Sequence, residues 1–148
     1  MNVVDTLTID APRDRIFDTF ADLTQWPRIL PDTVGVEVLY HDGFNQEFTM
    51  TVLRPAGEET VHGFRYLRRP HQLELVQTTP PPIMTYMNGV WDFTTNQDGS
   101  TVVTASRVFE LRSVEDGGPA GDEAQFAEKL RGLLHHNLTL FKEAIENA

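Results

Sequence analysis

The run TVHGFRYLRR, residues 60–69, gathers side chains suited to work on a carbonyl compound. Read as a strand, it sets His62, Phe64, Tyr66 and Arg68 on one face and Val61, Gly63, Arg65 and Leu67 on the other. The first face is a ladder of aromatic and hydrogen-bonding groups that ends in an arginine. A guanidinium carries several donors and a fixed positive charge. Beside a carbonyl oxygen it stabilises negative charge as that charge develops. Tyr66 and Arg68 stand roughly 7 Å apart along one face, so the phenol and the guanidinium can address neighbouring oxygens, with Tyr66 as a proton shuttle. A plainer reading stays open. Arginines near a strand end commonly reach solvent or a surface carboxylate, and Arg65, Arg68 and Arg69 are all placed for that.

A second arginine lies in TVVTASRVFEL, residues 101–111. If Val103, Ala105 and Phe109 face inward, so does Arg107. Burying it without a partner is costly, so an inward Arg107 implies a wet pocket or a bound anion. The opposite register leaves it in solvent. Trp26, Met87 and Trp91 are large side chains fit either for cavity walls or for plain core. His136 or Asn137 can reach the same space from a long helix.

These residues need a scaffold, and the chain spells one out. VVDTLTI alternates and is rich in β-branched residues, so it predicts a strand. In DAPRDRIFDTFADL, Asp10 is the expected N-cap and Pro12 suits the first turn. Ile16, Phe17, Phe20 and Leu23 recur at helical spacing. TQWPRILPDTVG carries two prolines and reads as a short second helix or a loop. Strand-like runs follow near 35–40, 45–54, 59–69, 72–78, 83–95 and 101–111, separated by turn signals such as HDG, PAGEE, RPH and NQDGS. TTPPPIM, 78–84, reads as a rigid loop at a cavity mouth. A long helix is expected from about Asp122 to 147, with Gln125 completing a capping box. Its stripe is Phe126, Leu130, Leu133, Leu134, Leu138, Phe141 and Ile145. The order predicts an α+β fold: an antiparallel meander that curves around the long C-terminal helix, with a cavity wherever the inner side chains fail to fill the space.

The 148 residues suit one domain, 1–148, and 40 % of them are hydrophobic. A formal charge of −10 argues against a nucleic-acid partner and against charge-driven membrane binding. With no cysteine there is no thiolate nucleophile and no thiolate metal site. The opening MNVVDTLTID lacks a basic segment followed by an apolar run, and no stretch has transmembrane length, so a soluble cytoplasmic domain is expected. No phosphate loop, dinucleotide fingerprint or G-x-S-x-G elbow is present. His135 and His136 are adjacent on the helix and point about 100° apart, which suits one facing the sheet and one facing water. No metal or other cofactor is expected.

Several pieces together resemble a known family. LTIDAPRDRIFDTFADLTQWPRIL is similar to the opening of the START-like, helix-grip domains grouped with Bet v 1. IDAP followed by a short amphipathic helix and WP, and YMNGVWDF at 86–93, resemble the polyketide aromatase/cyclase branch. The resemblance covers about residues 5–147. It implies a sheet gripping a long helix around a deep pocket. It further implies a flexible poly-β-ketone as ligand, delivered on an acyl carrier protein and closed by an intramolecular aldol reaction and loss of water. On this resemblance the pocket arginine falls on Arg68, and Trp26, His62, Phe64, Met87, Trp91 and His136 become substrate-binding candidates beside the catalytic candidates Arg68, Tyr66 and Arg107. The chain departs from the branch at His62, Phe64, Tyr66 and Arg107. Two functions remain in view: a cyclase, or a non-catalytic carrier or sensor of a lipid, quinone or aromatic metabolite, since one fold hosts both.

Overall fold

A computed structural model describes all 148 residues. Seven strands form one antiparallel sheet: β1 (Asn2–Ile9), β2 (Thr33–His41), β3 (Asn45–Arg54), β4 (Gly57–Arg68), β5 (Gln72–Thr79), β6 (Met84–Thr95) and β7 (Thr101–Leu111). Their spatial order is β1-β7-β6-β5-β4-β3-β2, so each strand after β2 pairs with its chain neighbour and β1 closes on β7. Register shifts in β2–β3, β4–β5 and β6–β7 bend the ladders. Three helices complete the fold: α1 (Arg13–Ala21), α2 (Trp26–Ile29) after a single 3-10 turn, and α3 (Glu123–Glu146). The helix-grip architecture expected from the sequence is the one observed. No helix is long and apolar enough to cross a membrane.

Two capping expectations are corrected. The N-cap of α1 is Pro12, which caps with no side chain, while the Asp10 amide donates to Glu146 at 2.8 Å. In α3 the Asp122 carboxylate accepts from Ala124 N at 2.9 Å. It therefore caps the helix alone, and the Gln125 side chain makes no bond back to it.

The apolar stripe of α3 does two jobs. Leu138, Phe141 and Ile145 enter the main core with α1, α2 and the strands. Phe126, Leu130 and Leu133 instead border an open space beneath the first half of the helix. The packed end is built from rings. Phe20 stacks on Phe141 at 4.0 Å between centroids and meets Phe93 edge-on at 5.4 Å. Trp26 stands edge-on to Phe141 at 5.3 Å. This aromatic wedge pins α1, α2 and the end of α3 together, while a smaller cluster of Val3, Met84, Phe109, Ala127 and Leu134 seats the start of α3 on the sheet, with the cavity beside it.

Phe141→Ala removes the ring that three elements share. It should cost about 3–5 kcal/mol of unfolding free energy, read from the denaturant midpoint. A loss under about 1 kcal/mol would mean that the wedge does not hold the grip together.

Candidate functional site

The space under α3 is a cavity of about 730 Å3, within the roughly 300–1,000 Å3 usual for small-molecule sites. Of its 31 lining residues 18 are hydrophobic, so it favours a largely apolar occupant. One rim is made by the β3–β4 turn (Pro55, Ala56), the β5–β6 loop (Pro81, Ile83) and the start of α3 (Phe126, Lys129). The proline loop thus sits at the cavity edge, as the sequence suggested.

The inner face of β4 is the opposite of the one expected. Val61, Gly63, Arg65 and Leu67 are buried, whereas His62 and Phe64 are only half-buried and Tyr66 and Arg68 are exposed. None of those last four lines the cavity. Arg68, with 55 % of its side chain exposed, donates to Glu74 at 2.6 Å and Gln72 at 2.9 Å on neighbouring β5. His62 sits 2.7 Å from Glu47 on β3 and also contacts Thr78. The physical reason is cross-strand chemistry. Ion pairs and rings decorate the outer face, while the aliphatic Val61 and Leu67 go to the core. Gly63 is inward because Phe48 lies opposite it on β3. A Cβ there would come within 2.9 Å of Val76 O and 3.3 Å of the Phe48 ring.

Parity therefore puts a different arginine inside. Arg65 is 1 % exposed. Its Nε donates to Gln46 Oε1 and its Nη2 to the Ala21 carbonyl, both at 2.9 Å. Gln46 is its register partner on β3 and itself donates to the Ala21 carbonyl at 2.8 Å. That carbonyl ends α1, where helix oxygens lack helical partners and the helix dipole is negative. The guanidinium also lies 5.2 Å from the centre of Trp26 and 5.7 Å from that of Trp91. Its Nη1 is buried and has no partner in the protein. Burial, and then the like charge of Arg107, pull its pKa down to about 9, partly opposed by Asp22. It is still a cation at neutral pH.

Arg107 faces inward, which resolves the two registers left open by sequence. It lies 4.4 Å from the centre of Trp91 and donates only to the Ser106 carbonyl, at 2.7 Å. Burial lowers its pKa to about 10. Gly89 is its register partner on β6, and a Cβ at 89 would sit 2.5 Å from Arg107 Nη1. Glycine here is what gives the side chain room. Trp26, Met87, Trp91, His136 and Asn137 line the cavity as expected, while His135 bonds Asp5 on β1 at 2.9 Å. Sequence reasoning missed Arg65 as the inner arginine, and it missed Gln77. Gln77 shares the inward face of β5 with Leu73 and Leu75, and its buried Oε1 has no protein partner. The alternation in QLELVQTT was the available signal.

An antiparallel sheet gripping a long helix over a cationic, aromatic cavity is the helix-grip architecture. The chain belongs to the polyketide cyclase / dehydrase and lipid transport family, whose model matches residues 1–146. It is 32 % identical over 104 residues to the actinorhodin polyketide synthase bifunctional cyclase/dehydratase of Streptomyces coelicolor, covering 68 % of this chain and 32 % of that protein. Against the granaticin counterpart of Streptomyces violaceoruber it is 29 % identical over 117 residues, covering 78 % and 35 %. The chain thus spans about a third of the length of these two relatives. The crystal structure of the Zhui aromatase/cyclase from Streptomyces sp. R1128 superposes with a TM-score of 0.80 at 25 % identity, over 98 % of this chain and 90 % of that one.

The two arginines should differ in what they do for stability. Arg107 is a buried charge with a single hydrogen bond, to the carbonyl of its own chain neighbour, so Arg107→Met should raise the unfolding free energy by on the order of 1 kcal/mol. Arg65 is tied to two acceptors, so Arg65→Met should lower it by about 1–3 kcal/mol. Parallel denaturant titrations check the signs, and equal effects would contradict the different anchoring.

Proposed function

We propose that this chain is an aromatase/cyclase domain that bends a poly-β-ketone in the cavity and directs its intramolecular aldol closure and dehydration. The observation that carries the reading is Arg65: a buried cation among aromatic walls with one donor, Nη1, free for a ligand oxygen. A polyketide offers flat apolar patches for Trp26, Trp91 and Met87, and carbonyl oxygens for the guanidinium. Rigid rings supply contact area with little rotamer entropy to lose.

In the closure, a methylene between two carbonyls loses a proton and the electron pair becomes an enolate. The enolate carbon attacks a carbonyl carbon further along, whose oxygen takes a proton and becomes a hydroxyl. Loss of that hydroxyl with a neighbouring hydrogen releases water, and enolisation completes the ring. Arg65 stabilises the oxygen on which charge develops. His136, the imidazole of the lining, is the proton acceptor in this scheme. The Oε1 of Gln77 accepts from the new hydroxyl. Delivery on an acyl carrier protein fits a rim open to long flexible substrates. The names of the two synthase relatives and of the Zhui aromatase/cyclase support this class of reaction.

With a reconstituted synthase, Arg65→Met should reduce directed product by roughly 10²-fold, in favour of spontaneously cyclised shunt products. Arg65→Lys should fall between, because it keeps charge and loses the planar fork. Arg68→Ala should leave the product pattern intact, since its partners are Glu74 and Gln72 on the outer face. Product analysis by mass spectrometry on folded variants is the check. Parental product at parental rate from Arg65→Met would remove Arg65 from the chemistry, and no directed product from the parent protein itself would make the cavity a carrier or sensor site.

A further inference from the structure

Two guanidiniums share one aromatic ring here, and no carboxylate bonds either of them. Arg65 and Arg107 lie 5.7 and 4.4 Å from the centre of Trp91, while their only acceptors are the Gln46 side chain and the Ala21 and Ser106 carbonyls. Of the acids along the cavity, Glu59 is 3.7 Å from Arg54 and Asp32 bonds neither arginine. A neutral occupant would complete the dehydration of two cations and give them no countercharge. An anion would supply one, and a charge shared between two oxygens matches the donor fork of a guanidinium.

We infer that Arg65 and Arg107 form a two-cation site that makes the cavity select ligands whose negative charge is spread over two oxygens, as in the enolate of a 1,3-dicarbonyl or a carboxylate, over their neutral isosteres. Arg107 is the specificity-determining residue, because it is the less anchored of the two cations and spends one donor on its own neighbour. Gly89 is the positioning residue, because a Cβ there would come within 2.5 to 2.9 Å of Arg107 Nη1, Cδ and Cζ and would push the guanidinium from its place against Trp91. The inference rests on the cyclase reading solely in taking this cavity as the ligand site. It deepens that reading: the most acidic β-diketone segment of a bound chain would be anchored first, as its enolate, and would set where the remainder folds.

The test is isothermal titration calorimetry at pH 8 with two matched probe pairs. One pair is 4-hydroxycoumarin, ionised at this pH, against 4-methoxycoumarin. The other is 2-naphthoate against 2-naphthamide. The parent protein should bind the anion of at least one pair about tenfold or more tighter than its neutral partner. The pair that shows the preference identifies enolate or carboxylate as the ligand chemistry. Arg107→Met should bring the ratio near unity, and Arg107→Lys should restore part of it. Gly89→Ala should weaken it while leaving net charge unchanged. Each variant is first shown by its melting curve to be folded. Equal binding of anion and neutral partner by the parent, or no anion binding at all, overturns the inference, as does a full preference retained in Arg107→Met. Because no turnover is measured, failure here leaves the cyclase reading standing. Parental product from Arg65→Met, which would overturn the catalytic role of Arg65, leaves the anion preference standing in turn.

Discussion

The bond network from Arg65 to the end of α1 is the constraint on which the rest depends. A cation at the bottom of an apolar cavity is expensive unless something negative faces it. This fold meets the need with a helix terminus. The Ala21 carbonyl, last of α1, accepts from both Arg65 and Gln46, so the partial negative charge of the helix end stabilises the guanidinium. A carboxylate in that place would neutralise the arginine. A carbonyl holds it and leaves its charge available to a ligand. The neighbouring Phe20 carbonyl accepts from Trp26 Nε1 at 3.1 Å, so the end of α1 also ties down the ring that meets Phe141 in the aromatic wedge.

The wedge and the cavity are two halves of one device. α3 presents a continuous apolar stripe that packs at two places: Leu138, Phe141 and Ile145 join the main core, and Ala127 and Leu134 join a smaller cluster with Val3, Met84 and Phe109. Between these two packed ends Leu130, Leu133 and Leu134 line the cavity. Stability is concentrated at the ring cluster, and the ligand site takes the remainder. The buried Arg107 follows the same logic. It costs stability and is held by little, a pattern expected of residues kept for binding.

The fold was legible because its signals are periodic. The stripe of α3 and the alternating runs of β1, β3 and β7 left little choice of element type, and consecutive short strands left little choice of topology. The site was half legible. Trp26, Met87 and Trp91 were marked as walls by pattern and resemblance, whereas the facing of Arg107 and the choice between His136 and Asn137 were left open. β4 defeated the reading because both of its faces carry an arginine and mixed polarity, so a one-residue slip inverted the assignment. Aromatic side chains at 62, 64 and 66 suggested an inner wall. The deciding facts, Phe48 pressing on Gly63 and Glu74 waiting for Arg68, sit on neighbouring strands. They concern pairs brought together by register, which a single strand read alone does not reveal.

The central claim is that Arg65, from the inner face of β4, meets the ligand in this cavity. A crystal structure with a bound aromatic polyketide mimic tests it most directly. The account predicts a ligand oxygen within hydrogen-bond distance of Arg65 Nη1, with the ligand ring against Trp91 and Trp26. A ligand bound on the outer face beside Tyr66 and Arg68, or one seated in the cavity with its oxygens turned away from Arg65, would contradict it.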